Sequence, residues 1–330
     1  MGFFKSLFSS EPVTGDENSG QTETEKKRIA FETLRDSGVR ALNMKEYKMA
    51  SAYFEKALEL NAADDDACAL LAEAYLRGGD MENALKLLRP MAVSSPDNIN
   101  VWISIAQAAL QLKQFDEALD AASHAVDIDK GNPSAHYFAA MACEGMEKHA
   151  EAVAKFTDAI SLADDYDAAY TMRAQANLAQ SRYEEAEGDA DRLIAGGTND
   201  DFVYVMKGDL RRHAGDCPAA VRAYARAIAL NPFNSDAYAG QAAACAEMGD
   251  FGKAMEVFEG AFEYMPQSAS LFRARAAVRE KNGDSEGAAA DLAQADSIAP
   301  PEDGNTADSQ FVQLQNRVED AARKANPFGL

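Results

Sequence analysis

Ala220-Val-Arg-Ala-Tyr-Ala-Arg-Ala-Ile-Ala-Leu-Asn-Pro232 sets Ala220, Tyr224 and Ala227 on one helical face and closes with a proline. Spacings of four and three residues keep these side chains together in a helix, and proline ends it. Steps of 34 residues from Ala220 land on Ala50, Ala84, Ala118, Ala152, Ala186, Ala254 and Ala288. Alanine fills 66 of the 330 positions, one in five, so eight in phase is far outside chance. A fixed period of this length marks stacked supersecondary units, each too small to bury its own apolar face.

From Phe31 to Glu302 the chain divides into eight such repeats with no insertion or deletion. They start at Phe31, Asp65, Ile99, Pro133, Asp167, Asp201, Ser235 and Ala269. The column of Gly208 holds Gly38, Ala72, Ala106, Ala140, Ala174, Ala242 and Ala276, so only glycine or alanine is admitted where two helices should touch. The column of Tyr204 is large at Leu34, Trp102, Tyr170, Tyr238 and Phe272, with Cys68 and His136 as departures. The column of Tyr224 holds Phe54, Leu88, Phe156, Phe258 and Leu292, and shrinks to Ala122 and Ala190. At the column of Pro232, proline recurs at Pro96, Pro266 and Pro300 but gives way to Ala62, Lys130, Asp164 and Thr198. Gly79-Asp80, Gly215-Asp216, Gly249-Asp250 and Gly283-Asp284 read as turns whose aspartate caps the next helix.

These columns resemble the tetratricopeptide-repeat family over 272 of the 330 residues. The resemblance implies an all-α fold, a right-handed α-solenoid of eight 34-residue helix–turn–helix repeats. It also implies a non-enzymatic scaffold whose first helices line a concave groove for partner peptide or helix segments. In that register the groove residues are Ile103, Tyr137, Phe138, Met141, Thr171, Met172, Val205, Met206 and Arg212, although several stand at the edge of the packing face. Methionine suits apolar partners of varied shape. Some family members hold chaperone C-termini in a Lys/Asn/Arg clamp. Arg35, Val39, Ala69 and Glu73 occupy the matching positions here, without the asparagine, so that partner is not expected.

Composition narrows the classes further. Asp and Glu number 54 against 32 Lys and Arg, a net charge of −22, which disfavours binding to phosphate backbones. The sixth repeat alone is basic, through Lys207, Arg211, Arg212, Arg222 and Arg226. It either neutralises acidic neighbours or anchors an acidic partner segment or another copy of the chain. Cys68, Cys143, Cys217 and Cys245 form no CxxC pair and read as reduced apolar fillers. Neither a P-loop, a GxGxxG nor an HExxH pattern occurs. No cofactor, metal or catalytic residue is therefore assigned. His136 falls in a packing column and reads as a core histidine.

Residues 1–30 read as a flexible tail, because 9–28 lack the apolar residues needed to offset the entropy of ordering. At its head, Phe3, Phe4, Leu7 and Phe8 would share one helical face and could touch a membrane or a membrane-bound partner. Residues 303–330 read as a linker and a C-terminal capping helix, from Phe311, Leu314, Val318 and Ala322. No apolar run is long enough to span a membrane, so the expected location is cytoplasmic, with peripheral membrane contact through the first eight residues as its extension. Two other functions stay open, a self-assembling structural scaffold and the regulatory subunit of an enzyme complex.

Overall fold

The computed structural model describes residues 22–299, and sixteen helices fill it without a strand among the described residues. In chain order they are α1 Glu23–Asn43, α2 Tyr47–Leu60, α3 Asp65–Gly78, α4 Met81–Ser94, α5 Ile99–Gln111, α6 Phe115–Ile128, α7 Pro133–Gly145, α8 His149–Leu162, α9 Asp167–Ala179, α10 Tyr183–Ala195, α11 Asp201–His213, α12 Cys217–Leu230, α13 Ser235–Glu247, α14 Phe251–Tyr264, α15 Ala269–Lys281 and α16 Ser285–Ile298. The fold is an all-α helical repeat solenoid. It forms two compact units that part between Gln114 and Phe115, inside the third repeat. The first holds α1 to α5 and the second α6 to α16. Within each unit, helices pack on their neighbours in sequence, and α11, α13 and α15 also touch one another as successive first helices.

The alanine column lies where the helices cross. Seven of its eight members have no exposed surface, and Ala288 has 3%. At the glycine column a Cβ on Gly38 would stand 2.5 Å from the Phe54 ring, and one on Gly208 2.5 Å from the Tyr224 ring. Small residues and large rings are therefore complementary halves of one contact, in which the ring fills the space that the missing side chain leaves.

Turn chemistry sets the repeat length. The fifteenth residue of every repeat has positive φ: Gly79, Gly215, Gly249 and Gly283 near 80°, and Lys45, Lys113, Glu147 and Ser181 between 56° and 60°. Glycine accepts that backbone freely, whereas a side chain there costs about 1–2 kcal/mol. Where glycine is present the next residue is aspartate, and Asp80, Asp216, Asp250 and Asp284 each accept from a backbone N–H of the following helix. Between repeats, Asp64, Asn98, Asn132, Asp200, Asn234 and Ser268 do the same. The fifth repeat departs from the pattern: α10 stops at Ala195 and Gly197 takes φ 81°.

Two positions that hold leucine in the second repeat carry buried ion pairs in the fifth and eighth. Leu71 and Leu87 belong to one apolar cluster in the second repeat. At the matching positions, Arg173 donates twice to Asp189 (2.6 and 3.0 Å) and Arg275 twice to Asp291 (2.5 and 2.9 Å). Both aspartates are nearly inaccessible, at 4% and 3%. Bidentate geometry offsets part of their desolvation.

The tail ends earlier than the sequence predicts. Helix α1 begins at Glu23, with Thr22 accepting from the Glu25 N–H. Arg28 bridges Glu25 and Glu32 at 2.6 Å each. Charge pairing and a cap extend the helix where apolar residues are scarce. The Phe3–Phe8 segment and the expected capping helix lie outside the described residues.

Glu147→Gly and Lys148→Asp would copy the glycine–aspartate turn into the fourth repeat. Each should stabilise the fold by about 1 kcal/mol, read as an upward shift of the urea unfolding midpoint. Unchanged midpoints would show that the left-handed residue and the absent cap carry no cost.

Candidate functional site

Most residues expected in the groove are core. Tyr137, Met141, Thr171, Met172, Val205 and Met206 are all buried, Met172 completely. Met206 packs with Ala174, Ala186, Leu193, Val203 and Leu210. Tyr137 lies against Phe156 and Tyr166, with ring centroids 5.7 and 5.1 Å away. Their burial has a geometric cause. An interior first helix is covered by its own second helix and by neighbouring helices, so its buried stripe is wider than one amphipathic face. Ile103, Phe138 and Arg212 stay partly exposed.

One cleft does open on the first helices, bounded by α11, α13 and α15, with a volume of about 320 Å3. It is lined by small residues, Ala239, Gly240, Ala243, Ala274 and Ala277, together with Val205 and Val278. Asp209, Arg212 and Asp236 supply the charge. Of the residues expected in the groove, Val205 and Arg212 thus line this cleft.

Asp209 is held from behind. The Tyr224 hydroxyl donates to its Oδ1 at 2.6 Å, although Tyr224 belongs to the second helix α12 and has no exposed surface. A Cβ at Gly240 would collide with the Tyr224 ring, so glycine there lets the phenol pass between α11 and α13 to the cleft. Enclosure by these helices pushes the Asp209 carboxyl above the usual carboxylate range, and Asp236 adds to the rise. The Tyr224 hydrogen bond and Arg212 oppose it. Half of the Asp209 side chain remains open to solvent, which keeps the effect modest.

The basic sixth repeat turns its cations onto its neighbours. Lys207 pairs with Glu187 and Asp191 at 2.6 Å, and Arg211 with Glu187 at 2.7 Å. Arg212 reaches Glu247 at 3.3 Å and Asp209 at 3.9 Å, and the Arg226 guanidinium lies over the Tyr204 ring. Neutralisation therefore accounts for Lys207, Arg211 and Arg212.

Residues 139–201 and 205–268 match the family model described as Tetratricopeptide repeat. The chain is a tetratricopeptide-repeat protein. Residues 43–125 match the model described as Anaphase-promoting complex, cyclosome, subunit 3. The curated DnaJ homolog subfamily C member 3 of Homo sapiens is 24% identical over 163 residues, 48% of this chain and 32% of that protein. Tetratricopeptide repeat protein 36 of Bos taurus is 39% identical over 89 residues, 25% of this chain and 47% of that protein. The chain thus matches a third to a half of the length of these relatives. Among solved structures, the APC/C hetero-tetramer Cut9-Hcn1 aligns over 82% of this chain and 52% of its own, with TM-score 0.54 and 16% identity. Pseudomonas aeruginosa pilF aligns over 66% of this chain and 99% of its own, with TM-score 0.55 and 19% identity. At these identities the structural likeness concerns the fold.

Within the repeats, reactive side chains have structural partners. His136 Nε2 meets the Lys130 carbonyl at 3.1 Å, as the Trp102 indole meets that of Pro96 at 2.8 Å. The histidine is thus a hydrogen-bonding substitute for the aromatic of its column. Burial pushes the Cys143 and Cys245 thiols up, which disfavours reactive thiolate. Gly283-Asp-Ser-Glu-Gly287 formally matches the Gly-x-Ser-x-Gly nucleophile pattern, but it is a helix–helix turn. Ser285 opens α16 and donates to Glu280, and no histidine lies in either flanking helix. Among the described residues, no group of three His, Cys, Asp or Glu could hold a metal ion, and no helix is long and apolar enough to cross a membrane.

Tyr166 replaces the usual capping residue before α9 and packs on Tyr137 instead. Burial pushes its phenol up to about 12, against the ordinary 10. The folded state thus holds this proton more tightly than the unfolded chain, and stability falls as pH rises from about 10 towards 12. Tyr166→Phe should lessen that fall by about 2 kcal/mol at pH ~11.5, measured by urea unfolding across the range. Parallel wild-type and variant curves would refute the assignment.

Proposed function

We propose that this chain is a non-catalytic scaffold that binds a segment of a partner protein in the cleft of α11, α13 and α15. The observation behind this reading is the lining of alanine and glycine, which leaves a recess open to solvent where most other first helices carry larger side chains. Family membership supports the class of work, since stacked repeats present concave surfaces to peptides. Ala277 lines the cleft and is exposed, so its replacement fills the recess without entering the core. Ala277→Trp should leave the unfolding midpoint within about 0.5 kcal/mol of wild type and abolish capture of the partners that the wild-type chain retains from native lysate. Capture unchanged by the tryptophan would refute the cleft as the binding surface.

A second reading, self-association, draws on the last repeat. The side chain at the Tyr224 column is at most 3% exposed in seven repeats, whereas Leu292 in the eighth is 47% exposed. This edge is also where residues 303–330 would pack as a capping helix. Sedimentation of the full chain and of a version ending at residue 302 distinguishes these uses. Association that arises on truncation and disappears with Leu292→Lys is expected, and a monomer at both lengths would eliminate the self-association reading.

A further inference from the structure

We propose that the α11/α13/α15 cleft recognises a lysine or arginine side chain of an extended partner segment, its stem seated along the alanine lining and its charged head between Asp209 and Asp236. The inference rests on the cleft being the binding surface and adds the chemistry of its occupant.

Three observations converge on a cation with a long apolar stem. The first is shape. A recess between helices lined by Ala239, Ala243 and Ala277 offers methyl groups, the surface on which Lys and Arg stems lie while their heads stay polar. The second is the charge left over. Arg212 is the one cation lining the cleft, and it already faces Glu247 and Asp209. Asp236 is exposed and makes no ion pair or hydrogen bond through its side chain among the described residues. The wall thus presents more carboxylate than it neutralises, and the chain as a whole, at −22, draws basic segments towards it.

The third is construction. Tyr224 is the only tyrosine in a column otherwise of Phe, Leu and Ala, and Gly240 is the only glycine in its own column, which elsewhere holds Asp36, Leu70, Ser104, Phe138, Met172, Met206 and Ala274. These two exceptions occur together, and their joint effect is a hydroxyl that reaches Asp209 from the core. A phenylalanine would fill the same core volume, so packing alone does not call for the hydroxyl. Its hydrogen bond fixes one carboxylate oxygen and leaves the other for a ligand.

The test uses the full chain and a random peptide library, followed by fluorescence anisotropy of individual selected peptides. Selected peptides should contain Arg or Lys among small residues, and replacing that residue by Gln should weaken binding roughly tenfold or more. Asp209→Asn, which keeps the acceptor for Tyr224, and Asp236→Asn should each cause a similar loss, and binding should weaken with salt. Peptides blocked by Ala277→Trp but indifferent to both Asn variants would overturn the cation inference and leave the cleft reading standing. Peptides indifferent to Ala277→Trp as well, or no selected peptide at all, would overturn both.

Discussion

The structure depends on the close crossing of paired helices, and that crossing depends on the absence of side-chain atoms. Alanine at the crossing column and glycine or alanine opposite the ring let two backbones approach until an aromatic ring from the second helix fills the remaining space. Ring and gap must match within about a methylene, because interiors pack at crystal-like density. A ring fills that gap in four repeats, at Phe54, Phe156, Tyr224 and Phe258, and leucine or alanine stands there in the others, so the small-residue columns are strict while the side chain facing them varies. Stability arises from contacts between neighbours, as expected when each repeat buries only what the next one covers.

Much of this was legible in the sequence because packing columns are strict. The phase and the helix starts from Asp65 to Ala269 follow from the small-residue columns, and the aspartate caps from the four glycine–aspartate turns. The groove was not legible in the same way. One residue along a helix rotates the side chain by about 100°, and in a helix enclosed on several sides that step moves it from one buried contact to another. Met172 and Met206 look like a partner-adapting stripe and prove to be interior. The cleft of α11, α13 and α15 is marked by what is missing, Ala and Gly at positions that carry no compositional signal in an alanine-rich chain.

Pairings across helices were equally hidden. Arg173 with Asp189, and Arg275 with Asp291, lie sixteen residues apart, and each reads alone as a surface charge. Only the packed helices show that both aspartates occupy interior sites. The same holds for Tyr224 and Gly240, two small departures that become one feature once α11, α12 and α13 are side by side. Repeats thus retain a common frame while individual side chains acquire local chemistry, and the sixth and seventh repeats are where this chain does so most clearly.

The left-handed residue in every internal turn has a consequence for how the array yields. Four turns, at Lys45, Lys113, Glu147 and Ser181, hold a side chain in that conformation, and all belong to the first five repeats, whereas the last three use glycine throughout. Strain is therefore distributed along the chain with a direction. Local opening draws on the least stable segments first, so amide exchange and proteolytic nicking should start at those four turns. The glycine-turned repeats, which carry the cleft, should stay closed longest.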